Sequence, residues 1–405
     1  MKSELADAPT GPLRGVRVID HTSVIFGPFG AQTLGDLGAD VVKIEPSGPN
    51  GARDGDPTRG NGPRVPGTDD LTPLFIGVNR NKRAVALNLR EPDERKTLIE
   101  LIRTADVFVS NSRLAGLKKL GLTYEDVISI KPDIIYVHAT GFGSSGPYAG
   151  RAAYDDVIQA AAGVSYLLTH KNEDAAPRFI PGSIADKVSG MFLTQAVTAA
   201  LYNRAIHGEG QFVEVPMFEC MVAFNMIEHI HGHAVSPAIA DTGYPRVFEP
   251  WSRPLRTADG YIATLVYNME QWKRLIGVVG IDPAIFDDAS YFGPSGPNRD
   301  RLVPLLEDTM KHLTTSEWEA KLHEADVAYS RQNSFVDVLN DPHLTDVGLF
   351  EEIDHASAGT VRMIRHPVLY AKTPANIRRH APGFAEHNDE LKGELRAREQ
   401  RDAEA

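Results

Sequence analysis

Cysteine is almost missing from this 405-residue chain: Cys220 stands alone. One thiol excludes an intramolecular disulfide framework and suits a reducing, cytoplasmic setting. Cys220 lies inside the apolar run MFECMVAF, which points to a buried, inert thiol rather than a nucleophile. No apolar run is long enough to span a bilayer, and the polar start MKSELADAPTG has no apolar signal core. Both features count against a membrane protein. Positive charge is also short, with 42 Lys and Arg against 54 Asp and Glu and a net charge of −12. This charge counts against a global nucleic-acid-binding surface, and an anionic ligand would need a local basic pocket. P-loops, G-x-S-x-G elbows, internal repeats and low-complexity tracts are absent too.

What remains is ordinary globular composition, 42% apolar and 24% charged. The length exceeds one ordinary core and predicts a large domain plus a smaller one. Five short apolar runs read as buried strands: GVRVID (15–20), ADVVKIE (39–45), RAVALNL (83–89), DVFVSN (106–111) and DIIYVHATGFG (133–143). Between and after them, AQTLGDLG (31–38), ERKTLIELIRTA (94–105), YEDVISI (124–130), YDDVIQAAAGVSYLL (154–168) and DKVSGMFLTQAVTAALYNRAI (186–206) read as helices. QFVEVPM (211–217) fits either a strand or the start of a helix. IFGPFG (25–30) reads as a turn, residues 46–72 as a long surface loop, and residues 1–12 as a loose tail. This alternation predicts a doubly wound α/β domain with a parallel, Rossmann-like sheet. Near residue 235 the texture changes. Pro237, Pro245, Pro250 and Pro254 mark a loop-rich stretch. A strand at 259–267 and helices from 269 onward then predict a smaller α/β domain. The segment from His387 reads as a charged, helical or frayed tail.

Several constellations carry chemistry. GFGSSG (141–146) matches the dinucleotide fingerprint, but Pro147 follows at once and the loop trails a late strand rather than the first. Nicotinamide binding and an NAD-dependent dehydrogenase are therefore a weak reading, and a ligand-lining or merely flexible turn a better one. Asn79, Arg80, Lys82 and Arg83 form a basic group before a strand, and Arg113, Lys118 and Lys119 a second after another. Each alone suits a solvated loop; together they suit one polyanionic ligand. Asp186 precedes an apolar helix and reads first as an N-cap, worth on the order of 1 kcal/mol. A carboxylate held ionised by the helix dipole can also be a nucleophile, and the cap does not choose between the two. EHIHGH (228–233) would share a face only on a strand; its apolar lead-in reads as helix, which counts against a metal site.

These pieces together resemble the family III CoA-transferases. The matching stretches are LRGVRVID, GPFGAQTLGDLGADVVKIE, N-x-x-KR (79–83), ADVFVSN (105–111), TGFGSSGP (140–147), AYDDVIQAAAG (153–163) and IADKVSGM (184–191). The resemblance implies that Asp186 is the catalytic aspartate, which exchanges CoA between carboxylic acids through a mixed anhydride and an aspartyl-CoA thioester. It places CoA against Val24, Phe26, Asn79, Lys82, Arg83, Asn111, Arg113, Lys119, Thr140, Gly141, Phe142 and Gly143. Tyr154 and Arg246 are implied substrate-pocket residues. No tightly bound cofactor and no metal are expected, since coenzyme A and acyl-CoA are substrates. The expected organisation is a large CoA-binding domain at 1–224, a small domain at 225–330 and a C-terminal return at 331–405. The family also implies an interlocked homodimer, with the active site between the large domain of one chain and the small domain of the other. A related activity, α-methylacyl-CoA racemisation, is disfavoured because Tyr154 and Asn268 stand where the racemases carry a histidine and a glutamate.

Overall fold

A computed structural model describes residues 5–6, 8–49, 53–169, 174–249, 251–294 and 296–404. Part of the expected tail at 1–12, and Pro250, lie outside the described residues. The chain divides into two compact units, 1–227 with 347–405, and 228–346.

The first unit opens with β1 (Arg17–His21), α1 (Phe26–Asp36), β2 (Asp40–Pro46), α2 (Pro73–Asn79) and β3 (Lys82–Leu87). It continues with α3 (Pro92–Arg103), β4 (Val107–Ser110), α4 (Leu114–Leu120), α5 (Tyr124–Ile130) and β5 (Ile135–Thr140). Then follow α6 (Asp155–Ala161), α7 (Val164–Leu167), α8 (Ile184–His207), β6 (Phe212–Pro216) and α9 (Met217–His229). The six strands form one sheet in the order β3-β2-β1-β4-β5-β6, and every neighbouring pair is parallel. Alternate residues feed two cores. Val18, Val107 and Val137 pack with α1 and α8 on one face. Ile19, Phe108 and Tyr136 pack with α3 and α5 on the other. Burial on both faces is why these strands read as continuous apolar runs.

Three local expectations change. The IFGPFG turn is the first turn of α1, because Pro28 sits where a helix has no use for its N–H. The 154–168 helix is broken into α6 and α7 at Gly163, whose φ of 77° ends the first piece. The middle of the 46–72 segment is not a surface loop. Asp56, Thr58 and Arg59 are buried there, and Arg59 pairs with Glu45 at 2.6 Å while lying 3.8 Å over the Phe75 ring.

The second unit holds β7 (Leu255–Arg256), β8 (Tyr261–Thr264), α10 (Met269–Val279), α11 (Arg299–Met310), α12 (Thr315–Glu324) and β9 (Tyr329–Arg331). Its sheet runs β9-β8-β7 and is antiparallel throughout, so this unit is α+β rather than the expected α/β. The short link from β7 to β8 allows only a hairpin; parallel pairing needs a long crossover. Back in the first unit come the hairpin β10 (Phe350–His355) and β11 (Gly359–Ile364), then α13 (Asn388–Glu404). The expected tail is this helix, docked through Leu391 and Leu395.

Candidate active site

In the order 3-2-1-4-5-6 the chain reverses direction between β1 and β4, which opens a crevice at the carboxyl ends of the strands. A cavity of about 610 Å³ lies at that edge. Val24 and Phe26 enter it after β1, Asn111 and Arg113 after β4, and Thr140, Gly141 and Phe142 at the end of β5. Tyr154 and Asp186 complete the wall.

Asp186 is the third residue of α8, not its N-cap; Ser183 holds that place and makes no side-chain cap bond. The cap comes from α6 instead. Asp155 Oδ1 accepts the Asp186 backbone N–H at 3.0 Å, and Asp155 Oδ2 accepts from Gln159 Nε2 at 2.6 Å. Gln159 Oε1 accepts the Ile180 N–H at 2.9 Å, so the loop before α8 is tied to α6. The Asp186 carboxylate itself receives no hydrogen bond among the described residues, and the residue is only 8% exposed. Burial pushes its pKa up to about 7, the Asp155 charge adds to the rise, and Lys187 opposes it. Such a carboxylate is more basic than a surface aspartate and still partly ionised at neutral pH.

Two glycines set the depth of Asp186. A Cβ on Gly30 of α1 would lie 2.9 Å from Leu193 Cδ2, and one on Gly190 of α8 would lie 2.8 Å from Phe29 Cδ1. Thr194 Oγ1 donates to the Gly30 carbonyl at 3.2 Å across the same crossing. The helix following the β1 turn and the helix carrying Asp186 are thereby held at backbone contact.

The β1–α1 turn is itself pinned. Asn111 Oδ1 accepts the Ser23 N–H at 3.0 Å, and Asn111 Nδ2 donates to the Ser23 carbonyl at 2.8 Å. Both ends of this amide are used, so Asn111 shapes the cavity by positioning the turn. Val24 has φ of 72°, a left-handed conformation that a β-branched residue rarely adopts. Its N–H donates to Asp56 Oδ1 at 3.3 Å, and Asp56 is anchored by buried Lys43 at 2.8 Å. Strain of this kind persists only where the surroundings over-determine it. On the glycine loop, the Gly143 N–H is taken by Glu219 at 2.9 Å and the Ser144 N–H by Glu214 at 3.1 Å. Gly143 is not among the lining residues. No helix opens on this loop.

The first basic group does not face the cavity. Lys82 is fully buried, and its ammonium donates to Asp20 Oδ2 at 2.8 Å, the Pro28 carbonyl at 2.9 Å and Asn79 Oδ1 at 2.9 Å. Burial pulls Lys82 down to about 8, while Asp20 beside it keeps the charge on at neutral pH. Arg83 is held by Asp40 at 2.7 Å, by Glu390 at 2.9 Å and by Glu394. Asn79, Lys82 and Arg83 therefore have their charges and donors committed inside the unit, which corrects the expectation that they form an open phosphate cluster. Lys119 is exposed in the last turn of α4 and is not a lining residue, though Arg113 is. Arg246 belongs to the 228–346 unit and lines a different cavity. His229 is buried, and its Nδ1 accepts the Tyr244 N–H at 3.2 Å.

Sequence reasoning overlooked Arg151, Asp155 and Gln159. Arg151 lines the cavity with its guanidinium 4.0 Å over the Tyr148 ring. A cation so soon after a glycine loop was a usable signal. For Asp155 and Gln159 there was none, because Asp186 on α8 and Ile180 in the loop before it, which they bind, are distant in sequence.

A doubly wound domain with a buried carboxylate lining a cavity at its switch point is an α/β fold of the kind that binds ligands at the carboxyl edge of the sheet. The family model for CoA-transferase family III matches residues 13–388. A succinyl-CoA:glutarate CoA-transferase of Homo sapiens is 31% identical over 393 residues, which cover 95% of this chain and 86% of that protein. A succinate–glutarate CoA-transferase of Agrobacterium fabrum is 31% identical over 404 residues, covering 95% and 96%. The crystal structure of a CaiB/BaiF family protein from Brucella suis matches with a TM-score of 0.80 at 31% identity, covering 95% of this chain and all of that one. The chain belongs to the family III CoA-transferases and is a CoA-transferring enzyme.

Proposed function

We propose that this enzyme moves coenzyme A from an acyl-CoA to a free carboxylic acid through covalent intermediates on Asp186. The Asp186 carboxylate adds to the thioester carbonyl; the C–S bond breaks, CoA thiolate leaves, and an aspartyl mixed anhydride remains. Thiolate then attacks the aspartyl carbonyl, releasing the donor acid and leaving aspartyl-CoA. The acceptor carboxylate attacks that thioester and expels thiolate, which finally attacks the acceptor's own carbonyl and regenerates Asp186. No oxidant and no net proton are required.

The observation that carries this reading is the position of Asp186: buried, with no donor to its carboxylate among the described residues, lining a cavity of about 610 Å³ and raised to about 7. In this reading CoA lies against Val24, Phe26, Arg113 and the 140–142 strand end, with Arg113 and Arg151 as the cations for its phosphates. Tyr154, exposed at the rim, meets the acyl group. Several relatives are named for succinate, glutarate or oxalate, so short diacids belong in the first substrate panel. We further propose that the enzyme is a homodimer.

The test is mass spectrometry of the protein mixed with succinyl-CoA, acetyl-CoA or a branched acyl-CoA. A CoA- or acyl-sized adduct on the Asp186 peptide, absent in Asp186→Asn, is expected. No adduct from any donor, together with deuterium uptake at the α-carbon in heavy water, would replace the transferase reading with racemisation.

A further inference from the structure

Within the 228–346 unit a second cavity, of about 410 Å³, lies among β8, α10 and α11. Its floor is apolar, built by Val266, Trp272, Leu275 and Leu306. Arg246, Arg253 and Arg299 also line it, and no aspartate or glutamate is among the described lining residues. In a chain of net charge −12 this is a local excess of cations over an apolar floor.

The three arginines are not equivalent. Arg253 is paired with Glu307 at 2.7 Å. Arg299 lies 4.9 Å over the Trp251 ring and makes one long contact, 3.5 Å, to the Val266 carbonyl. Arg246 lies 5.3 Å over the Tyr267 ring, and its buried Nε has no acceptor among the described residues. Neither Arg246 nor Arg299 has a carboxylate partner among the described residues. Trp272 Nε1, in a residue that is 3% exposed, is a second buried donor without an acceptor among the described residues. Buried donors are nearly always satisfied, and a guanidinium with no carboxylate beside it can take an anionic partner. A ligand carboxylate would give Arg246 the acceptor and counter-charge it lacks, and the floor asks for an apolar body behind it.

We propose that this cavity binds a carboxylic acid with an apolar aliphatic or aromatic body. The carboxylate meets Arg246, with Arg299 as the second cation, and the body lies on Trp272 and Leu275. The site is a property of the 228–346 unit and stands whether or not Asp186 forms an adduct.

All three tryptophans, Trp251, Trp272 and Trp318, lie in this unit, and the first two line the cavity. Tryptophan fluorescence of the full-length protein therefore reports on it. The probes are 4-phenylbutyrate and its uncharged amide, titrated without any CoA ester. A saturable change with the acid is expected, with the amide about tenfold weaker, as loss of a charge-assisted hydrogen bond implies. Arg246→Gln, checked for native circular dichroism, removes the preference for acid over amide. Arg299→Gln reduces it and serves if the first variant does not fold. Asp186→Asn leaves the titration unchanged. Equal binding of acid and amide, no saturable change, or loss of binding in Asp186→Asn would each overturn the proposal.

Discussion

Asp186 and Asp155 face each other across one backbone amide, and that arrangement has a pH signature. The proposed attack requires the ionised form of Asp186, so kcat/KM is expected to fall as pH drops through about 7, where burial and the Asp155 charge have raised its pKa. Asp155→Asn keeps an oxygen for the Asp186 N–H but removes the charge, and the acid limb then moves to lower pH. An unmoved limb in that variant would show that Asp155 only caps the helix. The same shift bears on stability. The folded pKa lies above the unfolded value near 3.8, so ionisation penalises the folded state increasingly from about pH 4 to 7 and constantly above that. Asp186→Asn is expected to lose at least about a thousandfold in activity. It should also melt higher than the parent at pH 8, with the difference closing near pH 4. At the cavity's cationic wall, Arg113→Ala and Arg151→Ala are expected to raise KM for acyl-CoA several-fold, as removal of phosphate contacts does.

The start of β3 and the crossing of α1 with α8 show how elements build the site without touching the ligand. Lys82→Met leaves Asp20 buried with one partner fewer, which costs about 3–5 kcal/mol where a buried pair is broken. Thermal unfolding should show a large loss of Tm; an unchanged Tm with weakened CoA binding would instead restore the phosphate-contact reading. Gly190→Val forces a side chain into Phe29 and the Phe26 carbonyl. Overpacking of that kind costs about 1–3 kcal/mol. Because it also pushes α8 from α1, kcat should fall more than the stability loss alone explains. Both elements look unremarkable in isolation. NRNKR reads as a basic patch because its counter-charges, Asp20, Asp40, Glu390 and Glu394, come from distant parts of the chain.

For the whole molecule the proposed dimer makes a separate demand. Each unit exposes large apolar side chains, with Tyr202 72% and Ile227 77% exposed in one and Phe335 91% exposed in the other. A dimer interface would cover some of these side chains. Light scattering coupled to size exclusion should give twice the chain mass at working concentration; a stable, active monomer would remove the dimer. No helix among the described residues is long and apolar enough to cross a membrane.

The sequence alone settled what is local and periodic. Strands buried on both faces announce themselves as apolar runs, and their alternation with helices is enough for a parallel doubly wound sheet. Motif density likewise sufficed to single out the family. Tertiary structure alone decided which charges line the cavity and which are consumed inside. It showed that Asp186 is capped by another helix and that Asn111 holds a turn. It also showed that the smaller unit is antiparallel. The reason is physical: burial, pKa and the satisfaction of a donor depend on groups brought together from far along the chain, and a linear pattern carries the charge of a residue but not its partner.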